Sequence, residues 1–393
     1  MKKTLVILLI FAMLLGLCAC GQTAGTEQTT GATEPAVDAT ATDADIAKLD
    51  SLYAGRELRF GEQHAHAATG GKSDGKVTLD EWKNSLQTMG AEFATIVDHR
   101  QTIHMELPEW DNNLFIGGSE AATTVMDSPA RVKDIHYNML FADVEEFKTI
   151  LNMYPVKFQY YDGFFRYPTW TVEELNQLSR DIYANGGLFV HVHPQASDTY
   201  MVSDDPLDYF FGDVMGFEVL TGYHAKNMKT EANLKQYDTW VKLLNLGKRA
   251  YATAGSDAHG SLTDVPACLG AIYAEDTNAK TLLNYMRAGD FIAGPVGIRM
   301  SVGDSTMGGT CSFAGQRLVV SAGHIHVKTY DTSHEYRLDV YDDQGLVFSQ
   351  PIYGSDDQYF AIDADANAKY YRANVYDVTA DMIIAIGNPI WNG

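Results

Sequence analysis

Residues 186–194 read Gly186-Gly187-Leu188-Phe189-Val190-His191-Val192-His193-Pro194. A glycine pair opens a short apolar run, and the run closes on His-Pro, so polar chemistry sits at the C-terminal end of a strand candidate. The same grammar recurs on both sides. Leu58-Arg59-Phe60 leads into Glu62-Gln63-His64-Ala65-His66, and Phe93–Val97 ends at Asp98-His99. Leu114–Ile116 ends at Gly117-Gly118-Ser119-Glu120, Phe217–Leu220 carries Glu218, and Ala250–Ala254 ends at Gly255-Ser256-Asp257-Ala258-His259.

Helical segments separate these runs. Thr78-Leu79-Asp80-Glu81 has the form of a capping box, Leu79, Trp82, Leu86 and Met89 follow at helical spacing, and Gly90 supplies a stop. Residues 171–184 and 234–246 repeat the pattern, each ending before a glycine. Strands alternating with helices imply a parallel sheet with right-handed crossovers. Polar residues at strand C-termini suit a (β/α) barrel, whose active site lies on that face, with an open doubly wound sheet as the alternative. Neither a G-x-G-x-x-G nor a Walker loop occurs, which leaves a nucleotide-cofactor fold with little support.

Beyond residue 297 the pattern becomes all-β. Residues 318–330, 336–341, 345–349, 370–376 and 382–386 read as strands, and Asp342-Asp343-Gln344-Gly345 reads as a hairpin turn. The other end of the chain differs again. Lys2 and Lys3 precede an apolar run, Thr4–Leu17, that is too short to span a bilayer comfortably and suits a signal h-region. It ends in Leu17-Cys18-Ala19-Cys20, which resembles the lipobox of bacterial lipoproteins. The expectation is a leader over 1–20 and a lipid anchor at Cys20, giving a bacterial, membrane-anchored, extracytoplasmic protein. A Thr/Ala/Gly-rich tether follows over 21–48, spanning about 30 Å as a coil. A catalytic domain over 49–297 and a sandwich-like β domain over 298–393 complete the division.

The 393 residues carry a formal net charge of −22, 46 % hydrophobic and 20 % charged residues. This suits a globular chain and argues against a nucleic-acid polymer as partner. Cys268 and Cys311 remain once the leader is removed, so at most one internal disulfide is available.

His64 and His66, two apart on a strand, point to one face. One H-x-H is weak evidence of a metal site. His99, Glu120, His193, Asp257 and His259 recur at the same relative place on other strands, and a barrel would converge them. Imidazole and carboxylate together suit Zn, Mn or Fe. Seven such groups exceed the needs of one ion, so two or three divalent metals are expected.

In chain order, H-x-H (His64, His66), S-D-G (Asp74), D-H (His99), G-S-E (Glu120), H-x-N (His136), H-P (His193) and G-S-D-A-H (Asp257, His259) resemble the PHP (polymerase and histidinol phosphatase) metallohydrolases over residues 58–262. The Glu218 strand and Gly387-Asn388-Pro389-Ile390 resemble the CehA/McbA-like branch of that family, named for a carbamate hydrolase. The resemblance implies a distorted seven-stranded TIM-like (β/α)7 barrel with two to three Mn, Zn or Fe ions. It implies that His64, His66 and Asp257 hold one metal, that Glu120 bridges to a second completed by His136 and His193, and that His99, His259 and Asp74 hold a third. Asp74 departs from the family pattern by three extra residues after His66. The amidohydrolase barrels also begin with H-x-H and end with Asp, but they usually bridge their metals with a carbamylated lysine. No lysine ends a strand here.

The chemistry implied is phosphoester hydrolysis. Two close cations lower the pKa of a shared water to give hydroxide, which attacks phosphorus in line with the leaving alkoxide. Glu120 and Asp257 hold that centre, and Arg100 or His191 serves the leaving group. Arg100 is equally read as a fork for an anionic substrate or as half of an ion pair. His191 reads as ligand, acid or packed core residue. No G-x-S-x-G elbow supports a nucleophilic side chain. The substrate expected is a small phosphomonoester or phosphodiester, with a carbamate or carboxylic ester as the alternative. A ligand-binding lipoprotein with a structural metal is the reading from another class.

Other features have plainer readings. Gly70–Glu81 resembles part of an EF-hand loop, but Lys72 at a ligand position opposes Ca²⁺. Asp98 is expected to orient an imidazole, and His104 and His224 to sit in loops near the mouth. His324 and His326 read as an exposed strand face. Residues 112–114, 136–165 and 201–211 read as mouth loops, and the aromatic stretch Tyr160–Phe165 as packing against the C-terminal domain.

Overall fold

The computed structural model describes residues 39–128, 135–195, 203–222, 228–260, 262 and 265–393. The leader, Cys20, most of the tether and His224 lie outside the described residues.

The capping signals mark the helices. Thr78 and Glu81 close a capping box at the start of α2 (Leu79–Met89), which buries Leu79, Trp82, Leu86 and Met89 and ends at Gly90 with φ 77°. A glycine accepts this left-handed backbone without a Cβ penalty. The same device, Thr171 with Glu174, starts α5 (Val172–Ala184), and Thr230 caps α6 (Glu231–Asn245). The expected tether ends earlier than residue 48, because Thr42 and Asp45 close a third capping box on α1 (Asp43–Leu52) and Leu49 is fully buried. Two helices fall in the stretch read as a mouth loop, α3 (Val144–Met153) and α4 (Pro155–Phe158). A last helix, α7 (Ala279–Ala288), follows the final site motif.

Seven strands surround the site: β1 (Glu57–Ala65), β2 (Phe93–Ile96), β3 (Phe115–Thr123), β4 (Ile135–Phe141), β5 (Leu188–His191), β6 (Val214–Thr221) and β7 (Arg249–Gly255). They are hydrogen-bonded in that order. β1–β2, β2–β3, β5–β6 and β6–β7 are parallel, as the alternation predicts. β4 departs from it, running antiparallel to both β3 and β5, with no described helix between β3 and β4. The regular (β/α)7 barrel is corrected further at its seam. No continuous ladder joins β7 to β1. Asp257 N donates to His64 O at 2.8 Å, and His66 N donates to Ala258 O at 3.0 Å. Side chains supply the remaining links: Glu62 Oε1 accepts from Ser256 N at 2.8 Å and Gln63 Oε1 from Ala254 N at 3.0 Å. The fold is mixed α/β with one large sheet curled around the site.

The other edge of β1 continues the sheet through β8 (Gly270–Ala274) and β9 (Ile292–Ala293). The C-terminal strands are β10 (Gly297–Val302), β11 (Ser305–Thr306), β12 (Thr310–Cys311), β13 (Arg317–Gly323), β14 (Tyr336–Tyr341), β15 (Leu346–Ile352), β16 (Gln358–Asp363), β17 (Tyr370–Asp377) and β18 (Met382–Asn392). β18, β17, β14 and β15 extend the large sheet past β9, so hydrogen bonding runs unbroken across the boundary expected at residue 297. β11, β10, β13 and β16 form a second, antiparallel sheet. One core that includes Ile298, Met300, Leu318, Val320, Leu338, Val340 and Val375 draws on both sheets, which gives this part a sandwich-like build. The hairpin turn falls where the sequence puts it: Asp342 Oδ1 accepts from Gln344 N and Gly345 N at 2.7 and 3.0 Å. Cys268 and Cys311 are not joined. No helix among the described residues is long and apolar enough to cross a membrane.

Candidate metal centre

Nine side chains from six strand ends meet at the curled end of the sheet. His64 lies near the end of β1 with His66 just beyond it, and His99 follows β2. Glu120 is on β3, His193 follows β5, and Asp257 and His259 follow β7. His136 reaches the same place from the start of β4, because antiparallel pairing sets His136 opposite Ala122. Asp74 arrives on the loop after β1.

The nine fall into three linked groups: His64, His66, Glu120 and Asp257; Glu120, His136 and His193; and His66, Asp74, His99 and His259. In the first, His64 Nε2 lies 3.3 Å from Glu120 Oε2 and 3.4 Å from Asp257 Oδ1. His66 Nε2 lies 3.0 and 3.1 Å from the same two oxygens. Four donors at 2.0–2.1 Å from a tetrahedral ion would stand about 3.3 Å apart. In the second, Glu120 Oε1 is 2.6 Å from His136 Nδ1 and 3.2 Å from His193 Nε2. In the third, Asp74 Oδ1 is 3.3 Å from His259 Nε2 and 3.5 Å from His99 Nε2. The first group is fully buried, whereas the Asp74 side chain is 57 % exposed, so the third group opens to solvent.

The electrostatics fit a cation site. Burial pushes the Glu120 carboxyl up, but hydrogen bonds from His136, His193, His64 and His66 outweigh it and hold the carboxyl well below its usual range. Burial works against charge on His64, yet Asp257 and Glu218 hold that imidazole well above its ordinary value, and His66 is raised to about 9. Three buried carboxylates draw positive charge inward. Divalent cations would supply that charge and leave the imidazoles as lone-pair donors.

Supporting contacts fix the donors. His64 Nδ1 lies 3.1 Å from Glu218 Oε1, while Glu218 Oε2 accepts from His193 N at 2.7 Å. A carboxylate only accepts, so His64 Nδ1 carries the proton and Nε2 turns its lone pair to the centre. A Cβ at Gly255 would stand 2.4 Å from His64 Cβ and 2.7 Å from Glu218 Oε1, so only glycine lets β7 pass here. Arg100, His193 and Asp257 all have positive φ, at 56°, 30° and 51°. Such backbone costs on the order of 1–3 kcal/mol per residue and clusters where surrounding structure overdetermines it for function.

Several expectations change. His191 does not join the centre. It is buried between Tyr209, Phe211 and Phe217, its Nδ1–H donates to Tyr209 O at 3.0 Å, and burial lowers its pKa to about 4. It is a packed core residue. Arg100 has no carboxylate partner among the described residues; its guanidinium stacks 4.5 Å over the Tyr167 ring. Asp98 orients a loop rather than an imidazole: Oδ1 accepts from Ala67 N at 2.7 Å and Oδ2 from the Thr69 hydroxyl. His104 is fully buried beside Trp110, and His326 is buried with Nε2 3.1 Å from Gly90 O, holding the β sandwich to the end of α2. The aromatic stretch packs against the loop after β2, not against the C-terminal strands: Phe165 N donates to Arg100 O at 3.0 Å and Thr102 N to Gly163 O at 2.9 Å. Two residues beyond it, the Tyr167 hydroxyl lies 3.3 Å from His99 Nδ1. Tyr167 follows no local pattern that marks a site, and Glu62 stands ahead of the H-x-H with no motif of its own.

No protein-family model matches the chain, and no curated protein matches it. Among solved structures, the chain is similar to a candidate metal-dependent phosphoesterase from Bifidobacterium adolescentis, at 14 % identity and TM-score 0.31 over 51 % of this chain and 87 % of that one. It is also similar to Endonuclease Q, solved with a 27-mer duplex carrying an abasic lesion, at 12 % identity and TM-score 0.38 over 59 % of this chain and 57 % of that one. Both TM-scores are below 0.5, and the metal centre stands on its own geometry.

Proposed function

We propose that the chain is a metal-dependent hydrolase of phosphoesters, of the PHP type that its motifs resemble. The observation that supports this reading is Glu120, whose two oxygens face two different sets of imidazoles. One carboxylate shared between two donor sets is the arrangement a multinuclear site requires, and exceeds what a closed four-ligand structural site needs.

His64, His66, Glu120 and Asp257 would hold one divalent cation, Glu120, His136 and His193 a second, and Asp74, His99 and His259 the more exposed third. Mn, Zn and Fe all suit this donor set. When bound, such cations lower the pKa of a shared water and neutralise charge on phosphoryl oxygens. The chain's own residues prepare the site. Glu120 stays ionised under the four imidazoles around it. Glu218 fixes the tautomer of His64 and, through His193 N, the backbone just past the neighbouring strand β5. Glu62 ties His64 N to Ser256 N and so holds β1 against the segment carrying Asp257. Arg100 supplies a positive charge at the open side, where a phosphate would arrive.

The reading includes export and anchoring through Cys20, supported by the leader and lipobox in the sequence. The test is turnover after loading with Mn, Zn or Fe, on a panel of phosphomonoesters, phosphodiesters and aryl carbamates. Metal-dependent hydrolysis of a phosphoester that His64→Ala abolishes supports the proposal. Carbamate turnover alone, or tight metal with no turnover of any ester, refutes it.

A further inference from the structure

Arg100 borders the centre. It directly follows His99, and its backbone is left-handed at φ 56°. That strained turn is pinned by the hydrogen bond from Phe165 N to Arg100 O, and by the bridge between Gln101 and Phe164. The turn places the guanidinium carbon over the Tyr167 ring, 4.5 Å from its centroid. Tyr167 in turn lies 3.3 Å from His99 Nδ1 and is 38 % exposed at the mouth.

The guanidinium has no hydrogen bond and no ion pair with any described residue, and its Nε is buried without a partner. This is costly in a chain with 51 acidic side chains available as partners. Three features therefore coincide: a pinned backbone, a guanidinium seated over the Tyr167 ring, and a buried Nε left without a partner beside the histidine and carboxylate cluster. A planar fork held in this way matches the edge of a phosphate oxyanion.

We infer that Arg100, held in place by Tyr167, is the clamp for a terminal phosphate and makes the site select phosphomonoesters over phosphodiesters. The inference rests on the phosphoesterase reading and narrows its substrate class. A monoester carries three non-bridging oxygens sharing about two negative charges, so one oxygen remains for the guanidinium after the centre has taken its share. A diester presents an alkyl or aryl oxygen in that place and offers Arg100 neither charge nor a matching edge. Tyr167 is a positioning residue: its ring seats the guanidinium and preorganises it, which lowers the ordering cost of binding.

The test has a binding arm and a kinetic arm. Inorganic phosphate is titrated calorimetrically into the metal-loaded protein and into Arg100→Ala, Arg100→Gln, Tyr167→Ala and Tyr167→Phe, with thermal melts to show that each variant is folded. Both Arg100 variants are expected to weaken phosphate binding by about tenfold or more, as loss of a charge-assisted pair implies. Tyr167→Ala should weaken it severalfold, and Tyr167→Phe, which keeps the ring, should hold it within about twofold. In the kinetic arm, the Arg100 variants should raise KM for a phosphomonoester and lower the monoester-to-diester ratio of kcat/KM. Unchanged phosphate affinity in folded Arg100→Ala overturns the inference, as does an unchanged ratio. Failure of the broader reading looks different, because the wild-type protein would then turn over neither ester, and the phosphate titration would still decide the role of Arg100.

Discussion

Glu218 holds His64 from behind: its Oε1 lies 3.1 Å from the His64 Nδ1, on the side of the ring away from the acids that face Nε2. Both side chains are 1 % exposed, so water cannot replace the bond. Glu218→Gln can still reach His64 but removes the charge, and its amide can present a donor where an acceptor is needed. Metal affinity is expected to fall by about 10–100-fold, the usual effect of losing such an outer partner. Competition against a chelator checks this directly, and an affinity equal to wild type would remove Glu218 from the account.

Glu120 is the residue on which the most contacts converge. Glu120→Gln should lower the number of metals retained per chain and cut phosphoester turnover by more than about a hundredfold. Elemental analysis beside steady-state kinetics reads both effects. Retained stoichiometry with lost activity would assign Glu120 a purely chemical role instead.

His191 tests the distinction between core and site. His191→Phe keeps an aromatic ring but leaves the Tyr209 carbonyl without its donor, at a cost of about 1–3 kcal/mol. A lower Tm with unchanged metal content is the expected result. A stable protein whose kcat falls a hundredfold would return His191 to the catalytic set.

Far from the centre, His334 gives a pH signature. Its Nδ1 lies 2.7 Å from Asp377 Oδ2, and that hydrogen bond raises the imidazole pKa above its ordinary value. A raised folded-state pKa means the folded protein binds the proton more tightly than the unfolded chain. The stabilisation is therefore fully present below about pH 6.5 and is lost as pH rises through the folded value. His334→Gln should melt below wild type near pH 5.5, and the gap should close by about pH 9. A gap that is constant with pH would place the effect in packing.

Much of the site was legible because its residues sit at strand ends after apolar runs, a local pattern. His64, His66, His99, Glu120, His193, Asp257 and His259 all follow it, and the structure gathers them. His136 did not follow it and came only through the family resemblance. Its strand, β4, runs opposite to its neighbours, so its ligand stands at the start of the strand rather than the end. The helices with capping boxes were readable for the same local reason. What escaped was set by partners distant in sequence. His191 looks like His193 from two residues away, yet Tyr209 and Phe217 make it core. Arg100 was ambiguous until Tyr167, 67 positions along, proved to be its neighbour. The unbroken sheet across residue 297 depends on β18 returning to β9, which no local pattern announces.

These nine residues are expected to hold more than one cation at once. Inductively coupled plasma mass spectrometry of the purified protein, after saturation with Mn or Zn and removal of free ion, measures this most directly. At least two ions per chain are expected, with fewer in Glu120→Gln. A wild-type value of one or fewer would contradict it.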